Sequence, residues 1–549
     1  MVETPFVTAA RRFNGFMRTP QRELWLLPSL LVLLIPITTS RAQDIVFDVT
    51  GLSERVAALH GRAVELAGSD DLLDTLHFGW FDRPYARATL AIALKTTAVL
   101  RREARLQEVG KGAIDDATLR TMLKWTDGAL VRAAGSKAEN GFRPHRLRVT
   151  PDELLDGAST LPLYAFIDRS TVTRQHDVFG DLDLLAAIGL RAYALPLSDL
   201  DDPTTADMLF DRASALGICL ARVAMPERPV PDEWETPPAT TNGALTMHAR
   251  PLRDWLLGAA PAGRAADEGW AISEPRTGES WSASLARHAL VRGVSERCRY
   301  FVADWTPPNG PDLRALAAAV WVGALDGQAL GVIPGWRDLR DGSVNAAPSI
   351  FLDPAAVETV AHTSLDLLRL RAHLGAFQTT PLLAIVVGAD AVDDRDEAVW
   401  ASWVLPVWET LMRRQIRFDV VRLETGLIEP ARRYRVVFPI RADEASDATA
   451  LVARVERTLA VESEHLHRIT AREEDGSLAA DVYIRSGRAS DEKPCVAVVN
   501  LSSESRRLKL RGGPSLGAVR DVVANESIAA PAERLPMGPW QVRILWAAK

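Results

Sequence analysis

Apolar residues recur at three- and four-residue spacing over Leu52–Ala67, Tyr85–Leu106 and Asp116–Ala134, the period of a helix that buries one face. The middle segment contains ARATLAIALKTTAVL, whose alanines favour helix. Residues 43–150 therefore read as a helical N-terminal region. It closes in KAENGFRPHRLR (Lys137–Arg148), a polar stretch with Gly and Pro that marks a linker.

The rhythm changes at Leu161. LYAFIDR (Leu163–Arg169) reads as a strand, DVFGDLDLLAAIGL (Asp177–Leu190) as a helix and RAYALPL (Arg191–Leu197) as the next strand. TADMLFDRASALGI and CLARVAM (Cys219–Met225) repeat the pair. Strands separated by roughly fifteen helical residues imply a parallel sheet. Gly189 and Gly217 stand where helices end before a strand, as a C-cap requires. A Pro-rich loop (Pro226–Pro238) precedes four further strand candidates: ALTMHAR, WAISEP, RYFVADW and ALGVIPGW. Closed on itself, this segment (151–378) predicts a TIM-barrel-like domain, complete or degenerate, with its site at the C-terminal strand ends.

From Pro381 the pattern restarts. LLAIVVG, IRFDVVR and YRVVFPI are strands, with helices at Trp400–Gln415 and Ala445–Ala460, predicting a flavodoxin-like α/β domain over 379–472. LLAIVVGADAV lacks a GxGxxG, so no dinucleotide site and no other cofactor is expected. ADVYIRSG, PCVAVVNLS, RRLKLRG and WQVRILWA then alternate with short turns, predicting a C-terminal antiparallel β-sandwich over 473–549. The fold class is thus multidomain α/β, in keeping with a length of 549 residues.

Charge narrows the partners. A net charge of −7 argues against a nucleic-acid binder. The cysteines Cys219, Cys298 and Cys495 are sparse and scattered, which excludes a disulfide framework and a cysteine metal site. At the N-terminus, Arg11, Arg12, Arg18 and Arg22 precede the apolar run Leu24–Thr39 and the small-x-small step Ser40-Arg41-Ala42. Residues 1–42 fit a secretory signal peptide, hence an exported protein; an uncleaved membrane anchor is the alternative. No P-loop or HExxH is present.

The chemistry concentrates between Trp270 and Trp336. Seven of the fifteen tryptophans lie between Trp234 and Trp336, and short apolar runs there end in carboxylates. Glu274 and Glu279 precede Trp281, and Asp304 precedes Trp305. Carboxylates can do acid/base work on hydroxylated ligands, and an indole offers a flat apolar face with one N–H. Carbohydrate is the ligand this pattern suggests. Glu274, Asp304 and Glu279 are the candidate catalytic acids; Asp168, Arg169, Trp270, Trp281, Trp305 and Trp336 are the candidate substrate contacts. The competing reading is structural: loop-capping acids, an Asp168–Arg169 ion pair at the barrel mouth, and tryptophans that anchor a core. Trp321, in the helix AAAVWVGAL, belongs to the core on either reading.

The order barrel, flavodoxin-like module and β-sandwich resembles the family 42 beta-galactosidases of glycoside hydrolase clan A. The likeness rests on GDLDLLAAIGLRAYALPL, on AAAVWVGALDGQALGVIPGWR, and on LLAIVVGADAV with YRVVFPI. It implies retaining hydrolysis of O-glycosidic bonds by two carboxylates about 5–5.5 Å apart. It also implies homo-oligomerisation through the flavodoxin-like module. Two departures stand out. The family's acid/base Glu follows an Asn, whereas the only Asn-Glu here is Asn525-Glu526, in the sandwich region. The barrel segment is also short. The alternatives to an exported glycoside hydrolase are a non-catalytic carbohydrate-binding or scaffold protein with a degenerate barrel, and a surface assembly protein.

Overall fold

The computed structural model describes residues 49–68, 80, 82–139, 142, 163–167, 178–196, 203–224, 245–249, 270–273, 301–304, 313–325, 330–333, 350–377, 383–388, 406–407, 410–411, 414–423, 436–440, 449–450, 453–454, 457–458, 469–488, 493–512, 517–529 and 533–547. Three helices come first: α1 (Val49–Ala67), α2 (Pro84–Glu108) and α3 (Asp116–Ala134). Pro84 opens α2, where a missing N–H costs nothing and a fixed φ helps. Asp115 caps α3, its carboxylate accepting from the N–H groups of Ala117 and Thr118 at 3.0 and 2.9 Å.

Seven parallel strands come next: β1 (Leu163–Ile167), β2 (Ala192–Pro196), β3 (Cys219–Ala224), β4 (Leu245–Ala249), β5 (Trp270–Ser273), β6 (Phe301–Asp304) and β7 (Leu330–Ile333). Each pairs with its successor, and β7 returns to β1 with Leu163 opposite Leu330 and Phe166 opposite Ile333. The ladder therefore closes into a barrel, using one strand fewer than the usual eight. That smaller ring fits the short segment. Because every pairing is parallel, all seven C-terminal strand ends lie on one rim.

Around the strands run α4 (Val178–Ala187), α5 (Pro203–Leu216), α6 (Leu313–Leu325) and α7 (Pro354–Leu374). Trp321 in α6 is core, at 3% exposure. Gly189 takes φ +85° between α4 and β2, and Gly217 takes φ +70° between α5 and β3. Leu190 N–H bonds back to Leu185 O at 2.9 Å there, closing the helix end.

The hydrophobic pattern does not single out α7, yet it is the hub of the molecule. Its Val357, Val360, Ala361 and Leu365 share one core with Ala88, Ala91 and Ile92 of α2 and with Leu184, Leu185 and Ile188 near the barrel. The 3₁₀ turn that ends it, Gly375–Phe377, abuts the C-terminal region, where Gly487 lies against Ala376 O so closely that no side chain fits.

The next three strands, β8 (Leu383–Gly388), β9 (Phe418–Leu423) and β10 (Val436–Ile440), form a parallel sheet in the order β10-β8-β9, with the first strand central as in a doubly wound sheet. Of the helix expected at Trp400–Gln415, residues 406–407 and 410–411 are helical.

Two antiparallel sheets complete the chain. One contains β11 (Thr470–Arg472), β14 (Arg506–Arg511) and β17 (Leu535–Met537). The other contains β12 (Val482–Arg488), β13 (Pro494–Asn500), β15 (Val519–Asp521), β16 (Glu526–Ile528) and β18 (Val542–Ala547). Ala471, Leu508, Leu510, Leu535 and Met537 of the first meet Val482, Val496, Val498, Val519 and Leu545 of the second in one buried cluster, so the sheets stack as a sandwich. Gln415 links this sandwich to the preceding module: its amide donates to Ala471 O and Ala479 O at 2.7 and 3.0 Å and accepts from Ala471 N–H at 2.6 Å. Among the described residues no helix is long and apolar enough to cross a membrane. The apolar run Leu24–Thr39 lies outside the described residues.

Candidate functional site

The rim where the barrel strands end is the place to look for chemistry. Asp304 is the last residue of β6 and stands opposite Val332 of β7. The adjacent strand, β5, ends at Ser273, which pairs with Ala303, one residue before Asp304. Trp270 opens β5, so about 10 Å of strand, at ~3.3 Å per residue, separates it from the end at Ser273. Asp168, Arg169, Glu274, Glu279, Trp281, Trp305 and Trp336 lie outside the described residues.

Along the chain, Asp168 comes immediately after β1 and Glu274 immediately after β5. Counting Asp304, three of the seven strands run into a carboxylate. In ring order these are β5, β6 and, across β7, β1. The acids are thus associated with one contiguous arc of staves, not with strands scattered around the ring.

Among the described residues a heavily bonded polar cluster lies elsewhere, on α7, and the hydrophobic pattern gives no notice of it. Glu358 accepts from Thr89 Oγ1 at 2.7 Å, from Trp125 Nε1 at 3.1 Å and from Arg132 Nη2 at 2.7 Å. His362 Nε2 lies 3.1 Å from Thr89 Oγ1. Asp366 accepts from Tyr85 Oη at 2.7 Å and from Arg369 Nη2 at 2.8 Å. Arg369 also donates to the backbone carbonyls of Val522 and Val523, each at 3.2 Å. The spacing 358, 362, 366, 369 is one helix face, the signal that could have revealed it in ETVAHTSLDLLR.

Environment shifts these groups strongly. Burial pushes the Tyr85 hydroxyl far up, aided by Asp366. Burial also holds His362 below its usual value, against the pull of Glu358. For Glu358, burial acts upward, but the bonds from Thr89 and Arg132 outweigh it and the carboxyl stays below its ordinary range. Such shifts can mark active sites. Here every carboxylate faces donors from packed helices or the sandwich, so the cluster acts as an interlayer clasp.

The Asn-Glu pair is likewise structural. Asn525 turns the β15–β16 hairpin at φ +58°, and Glu526 accepts from Arg543, which also bonds Asp521 at 2.9 Å. Among the described residues no group of three or more His, Cys, Asp or Glu could hold a metal ion.

No protein-family model matches the sequence, and no curated protein matches it. Solved structures similar to it include a glycoside hydrolase family 42 exo-carrageenase from Bacteroides ovatus, at 10% identity and TM-score 0.48, covering 90% of this chain and 100% of that one. An AmyP variant in complex with maltotriose has 10% identity and TM-score 0.32, covering 72% and 98%. An alpha-amylase from Geobacillus thermoleovorans complexed with acarbose has 10% identity and TM-score 0.24, covering 71% and 99%. These structural neighbours are glycoside hydrolases.

Proposed function

We propose that the chain is an exported glycoside hydrolase-like protein that cleaves O-glycosidic bonds of oligosaccharides at the C-terminal rim of a TIM-like seven-stranded barrel. The observation that carries this reading is the β5–β6 register: Ser273, the last residue of β5, faces Ala303, one residue before Asp304, and Glu274 is the next residue of the sequence after Ser273. Neighbouring parallel strands lie about 4.8 Å apart, the scale of the ~5–5.5 Å between the carboxyls of a retaining glycosidase. In this proposal Asp304, held in the ladder, attacks the anomeric carbon. Glu274 protonates the leaving oxygen and then draws the proton from the water that releases the sugar. Glu279 is the alternative second acid. Asp168, Arg169, Trp281, Trp305 and Trp336 follow barrel strands along the sequence and are assigned to substrate contact. The Arg-flanked apolar run Leu24–Thr39 supports export.

One observation favours a second reading, a carbohydrate-binding protein without turnover: the only Asn-Glu step is committed to Arg543 in the sandwich. Turnover of aryl glycosides and oligosaccharides by the intact chain separates the two. On the first reading, Glu274→Gln and Asp304→Asn each lower kcat by about 10²–10⁴-fold with unchanged circular dichroism. Unaltered turnover in either variant removes that residue from the mechanism. Oligosaccharide binding with no turnover by the native protein selects the second reading.

A further inference from the structure

The outer face of the sheet β11-β14-β17 is basic in a chain whose net charge is −7. Leu508 and Leu510 of β14 point into the sandwich core, so the intervening Arg507, Lys509 and Arg511 stand on the other face, repeating every ~6.8 Å along the strand. Arg472 of β11 pairs directly with Lys509, and Arg534, just before β17, lines the same surface. Like charges directly opposite each other on a sheet destabilise it. An anion lying across them removes that repulsion. Among the described residues no carboxylate lies within 4.0 Å of Arg511 or Arg534, and the Arg507 contact to Glu474 is a long 3.9 Å between exposed groups.

The face is also concave. A cleft of about 500 Å³ is lined by Glu474, Arg507, Leu508, Lys509, Glu533 and Arg534. Its floor mixes three cations with two carboxylates. Guanidinium forks match planar or tetrahedral oxyanions, while carboxylates accept from hydroxyls. We infer that this cleft binds an anionic polysaccharide, carrying sulfate or carboxylate groups spaced along a hydroxylated chain. The inference rests on the glycan-active reading of the barrel and gives the sandwich the role of holding a charged polymer. A nucleic acid fits less well: its continuous phosphates would meet Glu474 and Glu533, and single strands call for stacking aromatics that the cleft lining lacks.

Affinity electrophoresis of the full chain tests this with three probes in the gel: dextran sulfate, dextran and poly(dT). Dextran sulfate should retard the native protein, and neutral dextran should not. The double variant Arg507→Glu, Lys509→Glu, at an exposed and a half-buried site, should bind dextran sulfate on the order of tenfold more weakly or worse. Equal retardation of native and variant proteins overturns the site. Retardation by poly(dT) as strong as by dextran sulfate, lost in the same variant, overturns the ligand class in favour of nucleic acid. Glu274→Gln should leave retardation unchanged. Loss of turnover and loss of dextran sulfate binding are therefore separate failures, and the second alone rejects this site.

Discussion

Trp125 Nε1 donates to Glu358 Oε2 at 3.1 Å, joining α3 to α7 across 233 residues of chain. The same carboxylate accepts hydrogen bonds from Thr89 and Arg132, so one side chain gathers two N-terminal helices onto the helix that succeeds the barrel. Removing it takes the acceptor from Trp125 Nε1 and leaves Thr89 with His362 and Arg132 with water. Glu358→Ala should cost about 2–4 kcal/mol, read as a lowered denaturation midpoint in urea with the slope unchanged. Glu358→Gln should cost less, since its amide oxygen still accepts.

Acid should loosen this clasp in two stages. Burial keeps the folded His362 below the usual 6.5, opposed by Glu358. The unfolded chain then takes up the proton first as pH falls, so stability is full above about 6.5 and declines below it, until the folded histidine also protonates. The folded Glu358 is likewise below its usual 4.5, so its contribution is complete above that value and is lost as pH falls through the depressed one. Melting curves at pH 7, 6 and 5 should show Tm falling with acid. In His362→Gln the decline between pH 7 and 5 should be shallower, and an identical decline would exonerate this histidine.

Gly189 fixes how α4 turns into β2. It sits at φ +85°, and a Cβ there would lie 2.6 Å from Leu365 Cδ2. Gly189→Ala should therefore destabilise by about 1–3 kcal/mol, from the left-handed backbone and the overlap together. Adding Leu365→Ala should relieve only the overlap. A double variant whose loss equals the sum of the two single losses would show that the methyl groups do not compete.

Gln415 makes three bonds to the backbone of Ala471 and Ala479 while buried at 7% exposure. Gln415→Leu takes the partner from Ala471 N–H and Ala479 O, while Ala471 O keeps the Ala479 N–H at 3.1 Å, and should cost about 2–4 kcal/mol. Hydrogen exchange at the Ala471 amide should rise in that variant; unchanged protection there would count against the link.

Much of the framework was legible because each barrel strand is a short apolar run and Gly189 and Gly217 announce the helix ends. Ring size was not. Closure depends on Leu163 meeting Leu330, a pairing between distant segments that no local pattern encodes. The clasp was hidden for a different reason: Glu358, His362, Asp366 and Arg369 interrupt the apolar period of α7 because their polar partners arrive from α2, α3 and the sandwich. At the rim, carboxylate identity and strand-end position were readable at Asp304. Separation between acids is a matter of register, which sequence spacing does not measure.

The span between Trp125 and Glu358 also sets an order of assembly. At ~5–20 residues per second, a ribosome needs about 10–50 s to synthesise the 233 residues between them. Throughout that interval Tyr85 and Thr89 of α2 and Trp125 of α3 lack the partners that α7 supplies, Asp366 and Glu358. They are consequently made long before the helix that secures them, and holding factors in the cell have that whole interval in which to act on them.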